Sequence, residues 1–409
     1  MNYKTENNVI YVNRLKLEDL LSLLATIHHI TNGKGFSYFT LDFTNCSMIH
    51  PAAALALCPY SCKLRNNNID IELILPKNKS RQKLFENCNW AYFIDPKNHS
   101  IKNTKGKQIP ATQYKSPKEQ DDIVKSIVEK ILISIDKLDR KDFGAFEWAL
   151  NEITDNVLTH SSSVVGGFVQ VSILNDTKIL LAVADAGLGI PETIKYAYPN
   201  KTDIEAIELA ISEGVTRDSR LGQGNGLYGS HKICSASNGL FWIVSNHGQL
   251  SWEGEKSIFK NNTIPYEGTL IVAEIDFSNP NLLSNALSFK SGIHTPLDYI
   301  ERTYEDWHPD SELATFKMKN ESESFGSRVA GTPVRKKLIK VAQMCPEAQI
   351  NIDFSDVAIM SSSFADEVIA KLYCEIGPMT FMSRFKIISA NSLIKDLIDK
   401  AITQRTKTN

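Results

Sequence analysis

At 409 residues the chain exceeds one ordinary core, and at roughly 100–200 residues per domain it divides into two to four, with three as the working number. A charged content of 22%, a hydrophobic content of 42% and a formal net charge of −2 exclude a disordered, fibrous or polybasic chain and carry no global signal for nucleic acid. No apolar run reaches the ~18 residues that span a bilayer, and the opening Met-Asn-Tyr-Lys-Thr-Glu lacks the shape of a signal peptide, so the sequence points to a cytoplasmic protein without a membrane segment.

The seven cysteines are an odd number and sit mostly in apolar stretches, as reduced core thiols do. Cys58 and Cys62 share a helix face, but no second pair of Cys or His completes a zinc set.

Residues 9–95 alternate short β-type runs with helical patterns: Val9-Ile-Tyr-Val, Leu15 to Ile30, Tyr38-Phe-Thr-Leu-Asp-Phe, Ala52 to Leu64 and Ile69-Asp-Ile-Glu-Leu-Ile-Leu. That order predicts a small α/β domain over 1–95. The polar stretch 96–120 has no sustained period and reads as a linker or exposed hairpin. Helical patterns follow from Asp121 to Leu138 and from Asp142 to His160, then strands at Phe168–Leu174, Ile179–Asp185, Gly239–Ser245 and Thr269–Phe277. After a second linker, 279–323, the block 324–409 repeats the grammar of the first: helix Thr332–Met344, strand Gln349–Phe354, helix Ser363–Ile376, strand Arg384–Ile388, helix Ser392–Ile402. The two ends read as distant copies of one small fold.

The chemistry concentrates between Phe143 and Phe277. In Asn151-Glu-Ile-Thr-Asp-Asn-Val-Leu-Thr-His, residues four apart stack, so Glu152, Asn156 and His160 form one polar ridge. An amide oxygen binds magnesium, and a carboxylate one turn away orients or deprotonates a nucleophile; a solvated helix face is the alternative. In Val183-Ala-Asp-Ala-Gly-Leu-Gly-Ile an apolar strand ends in a carboxylate that can accept an exocyclic amine, followed by glycines that let backbone approach a base. Gly222-Gln-Gly-Asn-Gly-Leu-Tyr-Gly then opens a helix, and its backbone amides suit phosphate oxygens.

In this order and spacing the array resembles the GHKL superfamily of gyrase, chaperone, histidine-kinase and mismatch-repair ATPases. The resemblance covers 121–278 and implies an α+β sandwich of Bergerat type within an α/β chain, binding ATP and Mg2+. Position by position it implies Glu152 as general base, Asn156 as magnesium ligand, Asp185 as the adenine-reading acid and Thr269, in the pair Gly268-Thr269, as a second adenine contact. Gly187, Gly189, Gly222, Gly224 and Gly226 would shape the pocket, and 191–221 would be a lid whose Arg217 and Arg220 face the phosphates. The helix Asp121–Leu138 carries no histidine, which argues against a histidine kinase; the nearest branch is the serine-kinase one that regulates sigma factors. His160 is left with two roles, catalytic or partly buried.

The run Ile352-Asp-Phe-Ser-Asp-Val-Ala-Ile-Met-Ser-Ser-Ser-Phe-Ala-Asp-Glu resembles the signature of STAS domains, the fold of anti-anti-sigma factors, with Ser361 and Phe364 where that family has aspartate and glycine. The resemblance implies Ser362 or Ser363 as a phosphoacceptor; a helix cap is the alternative. Thr40-Leu-Asp-Phe-Thr-Asn-Cys-Ser-Met-Ile-His-Pro-Ala-Ala-Ala-Leu resembles the same signature more faintly, with Pro51 to Ala53 at the hydroxyl position, which implies a docking module. The expectation is a regulatory ATPase flanked by STAS-like modules that meet a protein partner or a second copy of the chain. A protein-serine kinase and a non-hydrolysing scaffold are the rivals.

Overall fold

The computed structural model describes residues 3–102, 108–135, 138–215, 226–237, 239–254, 256–278, 285–289, 292–293, 298–305 and 312–408. The chain has the expected mixed α/β character and forms two compact units, Met1–Lys130 with Ser134–Pro296, and Leu297–Asn409 with Ile131–Ile133.

The first unit begins with a hairpin of β1 (Lys4–Glu6) and β2 (Val9–Tyr11), turned through Asn7 at positive φ. There follow β3 (Arg14–Leu15), α1 (Leu20–His28), β4 (Tyr38–Asp42), β5 (Met48–Ile49), α2 (Pro51–Asn66), β6 (Asp70–Ile74), α3 (Lys79–Asn87) and α4 (Trp90–Ile94). Strands β2, β4 and β6 are parallel, in the sheet order β1-β2-β4-β6. Helix α2 starts at Pro51, where the missing N–H costs nothing, with His50 accepting from the Ala52 amide. Its run Ala52–Pro59 is buried on every side, and a helix apolar all round has to be covered all round. It packs against β6 of its own module and against two strands of the next sheet, β8 (Gly167–Ile173) and β9 (Lys178–Asp185).

That second sheet is antiparallel, in the order β10-β11-β9-β8-β7, with β7 (Gln108–Tyr114), β10 (Leu240–Glu253) and β11 (Lys256–Asp276). Strand β7 lies inside the segment expected as a linker. Ile109, Ala111 and Tyr114 are buried, but the intervening polar residues mask the alternation, and Pro110 sits at a register shift on an edge strand, where its missing donor is tolerated. Successive strand residues face opposite sides. Phe168, Leu180, Ala182, Ala184, Trp242, Val244, Leu270 and Val272 join one core with the N-terminal module. The alternate positions face α6 (Arg140–Asn156) and α9 (Gly226–Ala236), which pack on one another; His231 of α9 meets Phe241 edge-on at 5.4 Å. Within the module-side core the Trp90 indole N–H donates to Gln170 Oε1 at 2.7 Å, and Phe93 packs on Phe168 with ring centres 5.0 Å apart.

In the second unit β14 (Leu313–Lys317), β15 (Gln349–Asp353) and β16 (Phe385–Ile388) form a parallel sheet in that order. Strand β14 falls in the other expected linker. Helix α12 (Arg328–Met344) begins at Ser327, whose hydroxyl accepts from the Ala330 amide. A continuous helical run from Ser362 to Ile376, with a π-helical turn at Asp366–Ala370, precedes β16, and α16 (Ser392–Thr408) closes the chain.

The corners after β4 and β15 repeat one hydrogen-bond pattern. Asp42 accepts from the Thr44 amide at 2.7 Å and Asp353 from the Ser355 amide at 2.9 Å. Phe43 N–H donates to Ile74 O and Phe354 N–H to Ile388 O. Cys46 N–H turns back to Phe43 O and Val357 N–H to Phe354 O. Each corner then enters a helix, capped by His50 in one and Ser361 in the other. All seven cysteines are free thiols.

Because the module and the central sheet share one core, they should unfold together. Trp90→Phe strands the Gln170 oxygen and is expected to cost about 1–3 kcal/mol, read as a lower urea midpoint of a single transition seen by probes in both parts. A separate, earlier transition of the N-terminal module would contradict the shared core.

Candidate functional site

Two strands of the central sheet carry an apolar run followed by a polar residue: Ile179–Ala184 then Asp185 at the end of β9, and Phe241–Val244 then Ser245 at a register shift within β10. Asp185, Ser245 and Thr269 fall on the α6/α9 side by strand alternation, and all three are buried. Asp185 is 2% exposed, and its carboxylate accepts from the Gly187 amide at 2.8 Å, with the Thr269 amide close enough to favour its charged form. Burial pushes its pKa up to about 7, against the two amides, which favour the charged form.

Ser245 ties this corner together. Its hydroxyl donates to Gly268 O at 2.7 Å, lies 3.1 Å from Thr269 Oγ1 and accepts from the Ile190 amide at 2.8 Å. Gly268 adopts φ +113°, and a Cβ there would overlap the Asp185 carbonyl, so no other residue passes this close. Tyr266 is buried behind it and donates from its hydroxyl to the Asp185 carbonyl at 3.4 Å. Gly189 forms the N-cap of α7 (Ile190–Ala197).

The second group of residues lies on α6, which begins at Asp139, whose carboxylate caps the Lys141 and Asp142 amides. Glu152 is half-buried, and its carboxyl is pushed above the usual range by burial and then by the neighbouring charge of Asp155. It meets the start of α9 directly: a Cβ on Gly226 would collide with the Glu152 carboxylate. Asn156 is the last residue of α6, one turn from Glu152, and is half-buried. The chain then makes a π-helical turn, Val157–Ser161. Glu152 and Asn156 of the expected ridge lie on α6, and His160 lies within the π-helical turn that follows. Such turns recur at functional sites.

Ser161 joins the two groups, since its carbonyl accepts from the Leu188 amide at 2.7 Å, within the Gly187–Gly189 turn. The structure thus gathers Asp185, Gly187, Gly189 and Thr269 at one strand end and sets Glu152 against Gly226, with Asn156 nearby. Gly222, Gly224, Arg217 and Arg220 lie outside the described residues. Of the expected lid, Pro191–Ala197 and Asp203–Ala210 are helical. Helices α7 and α8 (Asp203–Ala210) pack on one another and on β10, with Lys195 paired to Asp203 at 2.6 Å and Asp203 accepting from the His247 amide. Ser245, Ser161 and Tyr266 are site residues that sequence reading missed. Only Ser245 left a signal, a polar residue closing an apolar strand.

In the second unit the helix cap is Ser361, whose hydroxyl accepts from the Phe364 amide at 3.0 Å. Ser362 is exposed and Ser363 half-buried, in the first turn that follows. A family model described as a STAS-like domain of unknown function (DUF4325) matches residues 330–395. The C-terminal region is STAS-like. The matched span of this STAS-like domain takes in most of α12, β15, the Ser361 corner with its helix, and β16. No curated protein matches the chain. Among the described residues no helix is long and apolar enough to cross a membrane.

The raised Asp185 pKa has a sign that can be checked. Between pH 3.8 and about 7 the folded protein holds a proton that the unfolded chain has released, so stability falls as pH rises through that window and levels off above it. Asp185→Asn removes this titration. Its stability relative to the parent is expected to rise between pH 4 and pH 8 by an amount on the order of a few kcal/mol, measured by urea unfolding at both values. A constant difference would place the carboxyl outside a buried site.

Proposed function

We propose that the central domain, 121–278, is a GHKL-type nucleotide-binding domain and that the chain is a Mg-ATP-binding regulatory protein, an ATPase whose nucleotide state controls what its STAS-like modules bind. The observation that carries this reading is Asp185: a buried carboxylate at a strand end, held by the Gly187 amide and close to that of Thr269, beside a glycine turn. Such a group recognises a planar donor such as the exocyclic amine of adenine, and it is buried too deeply to be a solvated surface charge.

The residues present suit ATP and Mg2+. Asp185 and Thr269 take the base, the backbone around Gly187 and Gly189 lies beside it, and Asn156 supplies an amide oxygen of the kind a magnesium ion accepts alongside waters and phosphates. Magnesium would neutralise phosphate charge. Glu152, with its carboxyl made more basic by burial, takes or orients the proton of the attacking group. The N-terminal module, with its repeat of the Asp42 and Asp353 corners, is read as a second STAS-like copy; with Pro51 to Ala53 in place of a hydroxyl it acts as a docking module for a protein partner or a second chain.

The serine-kinase reading is favoured by one observation. Ser361 performs the capping, which leaves the exposed hydroxyl of Ser362 available for phosphate. Incubation of full-length protein with γ-labelled ATP separates the readings: free phosphate for an ATPase, label within Met360 to Phe364 or on a STAS partner for a kinase, neither for a scaffold. Glu152→Ala is expected to cut turnover by about 100-fold or more while leaving ATP binding intact. Full turnover in that variant would remove Glu152 from the chemistry.

A further inference from the structure

Four consecutive residues of β11 connect the N-terminal module to the candidate base site. Tyr266 is buried in the core shared with α2, and its hydroxyl donates to the Asp185 carbonyl at 3.4 Å. Glu267 accepts from the Lys63 ammonium of α2 at 2.8 Å. Gly268 abuts the Asp185 carbonyl and is held by Ser245, whose hydroxyl also meets the Thr269 hydroxyl, and the Thr269 amide lies close enough to favour the charged Asp185 carboxylate. The first two residues are fixed by the module and the next two form the wall of the site, with no spacer between them. Lys63 also lies near enough for its charge to act on Asp185 across this wall.

We infer that Tyr266 and the Lys63–Glu267 pair are positioning residues through which the N-terminal module sets base recognition at Asp185 and Thr269. The inference rests on the nucleotide reading of the site and adds the route by which that site is regulated. Glu267 is half-exposed and Lys63 partly so, which makes their pairing worth little to overall stability. Its effect is geometric: it fixes where α2 stands relative to the part of β11 that precedes Thr269. Binding free energies are reciprocal, so a partner that shifts α2 changes nucleotide affinity, and nucleotide changes the affinity for that partner by the same factor.

The test uses the full chain with Mg-ATP and Mg-ITP, whose base lacks the exocyclic amine. It is made on the parent, Tyr266→Phe, Lys63→Met and the exchange Lys63→Glu with Glu267→Lys. Each single variant is expected to lose about three- to ten-fold in ATP affinity with ITP affinity unchanged, and the exchange to restore ATP binding. Hydrogen exchange of the Gly268 and Thr269 amides should quicken in the single variants and recover in the exchange. An unchanged ATP-to-ITP ratio, whether both affinities hold or both fall together, overturns the inference. If the parent takes up no ATP, the nucleotide reading fails by itself. The amide exchange then decides the wall: unchanged protection overturns the positioning role, and faster exchange keeps it for whatever ligand Asp185 reads.

Discussion

The first unit depends on a five-stranded antiparallel sheet buried on both faces. Antiparallel sheets commonly leave one face to water and show alternating polarity, but β8 and β9 are buried along nearly their whole length. Helices α6 and α9 cover one side, and the N-terminal module covers the other through α2, whose run Ala52–Pro59 is apolar all round. Each layer therefore needs its neighbour. The same enclosure explains the chemistry of the site, because Asp185 closes a buried strand, and the Gly187 and Thr269 amides with the Lys63 charge only partly offset the burial of its own charge.

Covering the sheet with a module rather than a solvated surface has a functional consequence under the proposed reading. The residues that shape base recognition stand one or two positions from residues held by the module. Any event at the module that moves α2 reaches the site through packed side chains and hydrogen bonds. The STAS-like domain at 330–395 shares the local wiring of the N-terminal corner, from the Asx turn to the backbone bonds of Phe43 and Phe354. The two corners differ at the helix start, with Pro51 in one and Ser362 in the other.

Much of this was legible in the residues. The apolar runs at Phe168–Ile173 and Ile179–Ala184 announce strands, and the runs through Asp42-Phe43 and Asp353-Phe354 each announce a strand followed by a helix. Strand β7 was not legible, because its three buried residues are spread among Gln, Pro and Thr on an edge where half the positions face water. Strand β14 was hidden by its acidic surroundings in the same way. At the site, Asp185, Gly187, Gly189 and Thr269 come together around the end of β9, whereas no local signal in Val157–Ser161 marks its π-helical turn. Tyr266 was invisible for another reason. Its importance comes from a core shared with a module that ends at Ile94, far earlier in the chain, and no spacing rule captures that.

The account stands or falls on what Asp185 recognises. Calorimetric titration of the full-length parent with Mg-ATP and with Mg-ITP asks this directly, since the two nucleotides differ at the group a carboxylate would accept. The account predicts saturable binding of ATP and at least about ten-fold weaker binding of ITP, because loss of one hydrogen bond at a buried carboxylate costs more than 1 kcal/mol. Equal affinities, or no heat from either nucleotide, would contradict it.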